Sequence, residues 1–354
     1  MSDNLREILE TGKVEASAPC RIDMGGTLDI STFYYPLRHL TPCTFNIAMA
    51  LRTRVRLHPY TEGRIKVSST GFETAEFALD QAPFDHPLGL MFAIGAYYRA
   101  GGVHIEIESA SPPRSALGGS SVAAVALIGA FSAVFDKMGV YRHLYRREIA
   151  ILAHALEESV LGIPCGLQDQ LAAAYGGVNA WQWHGRVKEG VFEKESVVKK
   201  NHHSQLEEHL LLAYCGVDHD STDTNSRWIR QFVSGRFRNH WKEIIQCTQR
   251  FIDAMAERNY TEAATEMNRE TDLRREMTPD VLDDTGAALV EAARKNGCGG
   301  RFTGAGGGGC LWALGETQKI AALRNQWQEI LGRRPDGRLL DIQIDSDGLK
   351  LPIL

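Results

Sequence analysis

The stretch PPRSALGGSSVAAVALIGAF, Pro112 to Phe131, sets two prolines, a glycine pair and a serine pair directly before a run of small apolar residues. A helix leaves its first four N–H groups without intrahelical partners and carries partial positive charge at its start, so an anion placed there meets several donors at once. Gly118 and Gly119 let backbone approach such an anion closely. Ser120 or Ser121 is a natural helix cap, and a hydroxyl at the same place can instead reach a magnesium ion that bridges phosphate oxygens. The run VAAVALIGAF, apolar nearly all round, reads as a buried helix that fixes the loop. An ordinary loop with a serine cap fits the same residues. The stretch lacks the Gly-Lys-Ser/Thr of the common phosphate loop, and its glycines do not have the dinucleotide-binding spacing.

Outward from this stretch, the chain has 354 residues, enough for about two domains. Hydrophobic residues make up 44% and charged residues 23%, ordinary globular usage, and a net charge of -5 gives no electrostatic reason to expect nucleic acid or an anionic membrane. MSDNLREILETGK at the N-terminus has no signal-peptide core, and the apolar run Val122–Phe135 is short for a bilayer span, so the expectation is a cytoplasmic protein. Seven scattered cysteines without a C-x-x-C pair read as reduced thiols.

KVEASAP, TRVRLHPY and VHIEIES carry strand signals, the last two by alternation, and Arg52, Arg54 and Arg56 share one face, more in keeping with a solvated sheet than with a phosphate site. From about Arg142 the chain turns helical, in LYRREIAILAHALEES and in HWKEIIQCTQRFIDAMAERNYTEAATEMNRE, with HLLLAYCGV and GCLWALG as intervening strands. The charged segment Lys188–Glu208 reads as a linker or an edge hairpin. Between residues 60 and 110 no motif marks a binding site.

Four segments then resemble one family in order. PPRSALGGSS is similar to the second motif of the GHMP kinases, the family of galactokinase, homoserine kinase, mevalonate kinase and phosphomevalonate kinase. APCRIDMGGTLDI (Ala18–Ile30) looks like the first motif, GGRFTGAGGGGCLWAL (Gly299–Leu314) like the third, and EESVLGIPCGLQDQLAAAYGG (Glu157–Gly177) like the galactokinase CGIMDQ region. Cys20 and GGTLD depart from galactokinase, and Gln168 replaces its methionine; the combination is more similar to bacterial heptose phosphate kinases and fucokinase-like members.

The resemblance implies an α+β fold in two lobes. An N-terminal domain, residues 1–195, would have a mixed sheet of ribosomal S5 domain 2-like type, and a C-terminal domain, 196–354, would be ferredoxin-like. It implies an ATP-dependent sugar kinase acting on a hydroxyl, possibly anomeric, of a monosaccharide or a sugar phosphate such as a heptose 7-phosphate. A galactokinase-like regulator that binds sugar and nucleotide is the alternative. Asp169 would be general base and Arg21 its catalytic partner. Pro113, Ser115, Leu117, Gly118, Gly119, Ser120 and Ser121 would hold ATP, Ser120 and Glu157 would ligate Mg2+, and Asp29, Gly26, Thr27, Asp223, Gly306 and Gly307 would meet the sugar, with Asn225 beside Asp223. The expected partners are small molecules only, in a monomer or homodimer. Asp218, Asp220 and Asp223 invite a calcium reading, but Asp223 and Ile229 stand where an EF-hand needs glycine and glutamate. His202, His203 and His209 read as surface.

Overall fold

Val14–Met24 (β1) begins with alternating burial and becomes buried on both faces from Ala18 onward, the pattern of a strand that starts at a wet margin and runs beneath other elements. A computed structural model describes residues 2–186, 190–216 and 221–354, with the side chains of residues 2, 3, 186 and 221–223 outside that description. β1 pairs antiparallel with the 17-residue Cys43–Pro59 (β2), which also carries Val103–Ser109 (β5) at one end and Val178–Arg186 (β6) at the other. Arg64–Ser69 (β3), Ala75–Ala78 (β4) and Gly190–Val198 (β7) complete the sheet, in the order β4-β3-β5-β2-β6-β7 with β1 on β2. The β3–β5 pair is parallel and the rest antiparallel, so the sheet is mixed as expected. Of the segment Lys188–Glu208, the described residues from Gly190 onward form an edge strand, β7, followed by a short helix His203–Glu207.

The second sheet is Leu210–Tyr214 (β8), Gly299–Phe302 (β9), Cys310–Leu314 (β10) and Arg338–Leu340 (β11), antiparallel, in the order β11-β8-β10-β9. Helices join β8 to β9 and β10 to β11, which is the β-α-β-β-α-β connectivity of a ferredoxin-like lobe. The long helical segment after Trp241 is two helices, Arg238–Glu257 and Tyr260–Met277. Arg258 takes φ +59° between them and Asn259 caps the second by accepting from Glu262 N at 3.1 Å.

The opening stretch becomes helix Gly119–Lys137, packed on β1 and β2 with its apolar residues buried almost throughout. By length and composition this helix could cross a membrane, longer than the bare apolar run implied, yet 78% of its most apolar stretch is buried inside the fold, which makes it a core helix. The lobes interlock. Phe33, which follows the first motif, is fully buried with its ring 4.9 Å from Phe232 and 4.3 Å from Trp241 of the C-terminal lobe. Burial of such a ring contributes roughly 2–3 kcal/mol, so the segment is fixed to both lobes. The chain's end returns to the first sheet through bridges Met49–Ile344 and Ser17–Lys350. Arg52 is tied there to Asp345 and to the Gly348 carbonyl, and Arg56 to Glu15 and Glu108, so the arginine face is a network of ion pairs.

Candidate active site

Arg21 and Asp23 are two apart on β1 and point the same way, toward the junction of the lobes. Arg21 donates through Nε to Asp169 Oδ1 at 2.7 Å and through Nη2 to Oδ2 at 2.8 Å, a two-pronged pair, while Nη1 donates to the Ala116 carbonyl at 2.6 Å. Asp169 is the second residue of helix Gln168–Tyr175 and its side chain keeps 22% of its exposure, whereas Arg21 keeps 4%. The acid therefore faces the cavity and the guanidinium lies behind it.

The phosphate loop is gripped from two sides. Arg21 N donates to Leu117 O at 3.3 Å, and Cys310 N, at the start of β10, donates to Ser115 O at 2.9 Å. Gly309 permits that second contact, because a Cβ there would stand 2.6 Å from Ser115 O. Gly118 is the N-cap of helix Gly119–Lys137 at φ +81°, and a Cβ on it would press within 3.0 Å of Asp169 Oδ2. The first bond of this helix runs from Val122 N to Gly118 O, so the N–H groups of Gly119, Ser120 and Ser121 have no partner within it.

Neither serine caps the helix. That corrects the expectation of a serine cap: the cap position belongs to Gly118, and both hydroxyls turn to a stronger acceptor. Ser120 Oγ donates to Glu157 Oε1 and Ser121 Oγ to Oε2, each at 2.7 Å, and Gln170 Nε2 donates to Oε2 at 2.6 Å. Burial raises the Glu157 carboxyl above its ordinary value, against the lowering effect of the two hydroxyls. No cluster of three or more acidic, histidine or cysteine side chains forms a self-sufficient metal site among the described residues. Two hard oxygens beside a helix start suit magnesium that arrives with nucleotide phosphates and keeps several waters, so Ser120 and Glu157 fit that ion.

Asp29 lies in the first motif and is 3% exposed. Its Oδ2 accepts from Gln168 N at 2.9 Å and its Oδ1 has no partner. Burial pushes its carboxyl up to about 6, the Gln168 N–H opposing and the Asp169 charge adding. Because the folded value lies above the unfolded one near 3.8, the stability this group allows is present below about pH 4 and is lost as pH rises through about 6. At about 1.4 kcal/mol per unit, Asp29→Asn is expected to raise unfolding free energy by roughly 1–3 kcal/mol at pH 8, with a smaller gain at pH 5. Urea unfolding across that range checks it; a gain that does not change with pH contradicts the assignment.

The site opens onto one cavity of about 410 Å³. Its lining includes Arg21, Thr27, Asp29, Glu157, Asp169 and Asn225 together with Pro113, Ser115 and Gly118 to Ser121. Leu117, Gly26, Gly306 and Gly307 are not among its walls. Leu117 is a buried anchor beneath the loop, and Gly26 lies over Asp23 and Gln168. In the third motif it is Gly304 and Ala305 that reach the cavity; Gly307 N donates instead to Val281 O at 2.7 Å, so those later glycines serve packing. The side chain of Asp223 lies outside the described residues, as do Asp218 and Asp220.

Two parts of the site carried no sequence motif. Phe72, Leu88, Met91, Ile107 and Ser109 line a largely apolar portion of the cavity, assembled from separate segments between residues 69 and 111. A fully buried charge network also lies behind the first motif. Glu270 accepts from Arg274 Nε at 2.9 Å and Arg301 Nε at 2.8 Å, Arg301 Nη1 reaches Asp23 Oδ2 at 3.2 Å, and Arg274 Nη2 donates to Gly26 O at 2.6 Å. Burial alone would raise Glu270, but the two arginines outweigh it and hold its carboxyl below the ordinary value. Asp23 in turn accepts from Gly304 N at 2.7 Å, so this network sets the third motif against the first. Asp23 was within reach of the sequence, two residues from Arg21 on one strand face; Glu270, Arg274 and Arg301 were not.

The family model for the GHMP kinases N terminal domain matches residues 88–177, and that for the GHMP kinases C terminal matches 251–332. The chain belongs to the GHMP kinase family. As a GHMP kinase it is a phosphotransferase acting on a hydroxyl group, and kinases of this family use ATP. It is 27% identical over 333 residues to the mevalonate kinase of Thermococcus sibiricus, covering 85% of this chain and 89% of that one. It is 25% identical over 245 residues to the D-glycero-alpha-D-manno-heptose 7-phosphate kinase of Campylobacter jejuni, covering 68% and 67%. The fold matches the crystal structure of Lactococcus lactis galactokinase complexed with galactose at a TM-score of 0.70 and 16% identity, over 99% and 98% of the two chains.

Proposed function

We propose that this GHMP kinase is an ATP-dependent sugar kinase that transfers the γ-phosphoryl group to a hydroxyl of a monosaccharide or sugar phosphate. One observation carries the reading: the Arg21–Asp169 pair and the free N–H groups of Gly119 to Ser121 line the same cavity. Phosphoryl transfer asks mainly for positioning and for charge opposite the moving phosphoryl group. The helix start and Gly119, whose missing side chain leaves open space, cradle the phosphates. The apolar portion around Phe72, Met91 and Ile107 takes the base. Each Asp169 oxygen keeps a second lone pair beyond its bond to Arg21, so Asp169 takes the acceptor proton as the new O–P bond forms and ADP leaves. Arg21 orients Asp169 through its two-pronged contact and adds positive charge near the transferring group.

Ser120 and Glu157 would hold Mg2+, which when bound would supply positive charge beside the nucleotide phosphates. Glu157→Gln is expected to raise the free magnesium needed for half-maximal rate by roughly tenfold or more, with the acceptor KM little changed. An unchanged magnesium requirement removes Glu157 from the ligand set.

The relatives differ in acceptor: one is named for mevalonate, another for a heptose 7-phosphate. The machinery around Arg21 and Asp169 fits either, so the acceptor is to be found by assay. ADP release with magnesium and ATP, across monosaccharides, sugar phosphates and mevalonate, tests the reading. Sugar-dependent release supports it, release on mevalonate alone replaces the acceptor class, and binding of sugar and ATP with no turnover on any compound points to a regulator.

A further inference from the structure

Three residues lining this cavity carry a buried acceptor atom with no hydrogen-bond partner among the described residues: Asp29 Oδ1, Gln168 Oε1 and Asn225 Oδ1. Asp29 and Gln168 are more than nine-tenths buried, and a buried polar atom without a partner is destabilising, a cost that a ligand supplying donors removes. Hydroxyl groups are donors of that kind. Full charges in the walls point the same way. Among the described residues the only lysine or arginine side chains lining the cavity are Arg21 and Arg114. Arg21 is taken up by both oxygens of Asp169, with Asp23 Oδ1 3.6 Å away, and Arg114 stands on the phosphate loop between Pro113 and Ser115. Asp29 itself is an anion at neutral pH.

Resting on the sugar-kinase reading of this site, we infer that its acceptor is an uncharged monosaccharide, bound through hydroxyl donors to Asp29, Gln168 and Asn225, and that acceptors bearing a phosphate or carboxylate away from the reacting hydroxyl are selected against. The geometry offers such an anion no unengaged cation and sets it against the Asp29 carboxylate. Selectivity then comes as much from repulsion as from the hydroxyl contacts. The inference sets this chain apart in acceptor from the mevalonate and heptose 7-phosphate kinases it is similar to.

The test compares each neutral sugar with its own anionic derivatives: gluco-, galacto- and manno-hexoses against their 6-phosphates and uronates, and D-glycero-D-manno-heptose against its 7-phosphate. kcat/KM for ADP release on the best neutral sugar is expected to exceed that of its anionic derivatives by at least about tenfold. Asp29→Asn is expected to raise the KM of the neutral sugar and to narrow that ratio. A phosphate- or carboxylate-bearing acceptor used better than its neutral parent overturns the inference while leaving the kinase in place. If no compound releases ADP, the kinase reading fails, and calorimetric binding of the same series decides the inference on its own. Neutral sugars binding more tightly than their anionic derivatives uphold it; tighter anion binding, or no sugar binding, overturns it.

Discussion

Asp169→Asn lowers kcat by about 10³-fold, within the range typical of a lost general base, and leaves the KM for ATP within about threefold. The amide keeps the shape of the carboxylate and can still accept one bond from Arg21, so the loop and the helix start stay in place. What it loses is the capacity to take a proton from the acceptor hydroxyl. The split between kcat and KM is the informative part. A fall in both, with weaker ATP binding, means that the Gly118 turn, which sits 3.0 Å from Asp169 Oδ2 by its missing Cβ, has been disturbed instead.

Arg21→Met has the second large effect, and it falls on stability as well as rate. Removing one partner of a buried ion pair leaves the other uncompensated, at a cost of roughly 3–5 kcal/mol. Here Asp169 loses its cation, Asp23 is left with Arg301 alone, and the Ala116 carbonyl loses a donor. Turnover is expected to fall at least as far as in Asp169→Asn, because the base loses its partner and the moving phosphoryl group loses a nearby charge. Arg21→Lys, which restores charge without the two-pronged geometry, is expected to regain most of the stability and little of the rate. Urea unfolding beside steady-state kinetics separates the two effects; full activity in the lysine variant shows that charge alone suffices.

Where the chemistry rests on a motif, the sequence was readable. Arg21, Glu157 and Asp169 were singled out from two separate segments, Ala18–Ile30 and Glu157–Gly177, and the structure draws them around one cavity. The loop was readable only beside the other motifs, since a glycine pair before an apolar run also fits an ordinary turn. Alternation marked β5 and the later half of β2, and the core helix followed from its apolar composition, whereas β3, β4, β6 and β11 were not among the strands read from the sequence.

The failures have physical causes. A serine near a helix start reads as a cap, but whether it caps depends on where the helix begins and on what acceptor lies nearby; Glu157, 36 residues from Ser121, cannot be weighed from local spacing. The run Gly306–Gly309 signals close packing of backbone without saying against what, and Val281 and Ser115 prove to be its neighbours. Glu270, Arg274 and Arg301 resemble the exposed charges of any surface helix or strand until the tertiary fold buries them together. The apolar portion of the cavity uses residues indistinguishable from core.

The account's central claim is that Asp169, held by Arg21, takes the proton of an acceptor hydroxyl while ATP lies on the start of helix Gly119–Lys137. The most direct measurement is acceptor-dependent transfer of the γ-phosphoryl group, followed by phosphorus NMR of the products for the unaltered protein and for Asp169→Asn under saturating ATP, magnesium and the best acceptor. The account predicts a phosphorylated acceptor formed one for one with ADP by the first, and transfer slower by about 10³-fold in the second. Transfer at nearly equal rates in both contradicts it.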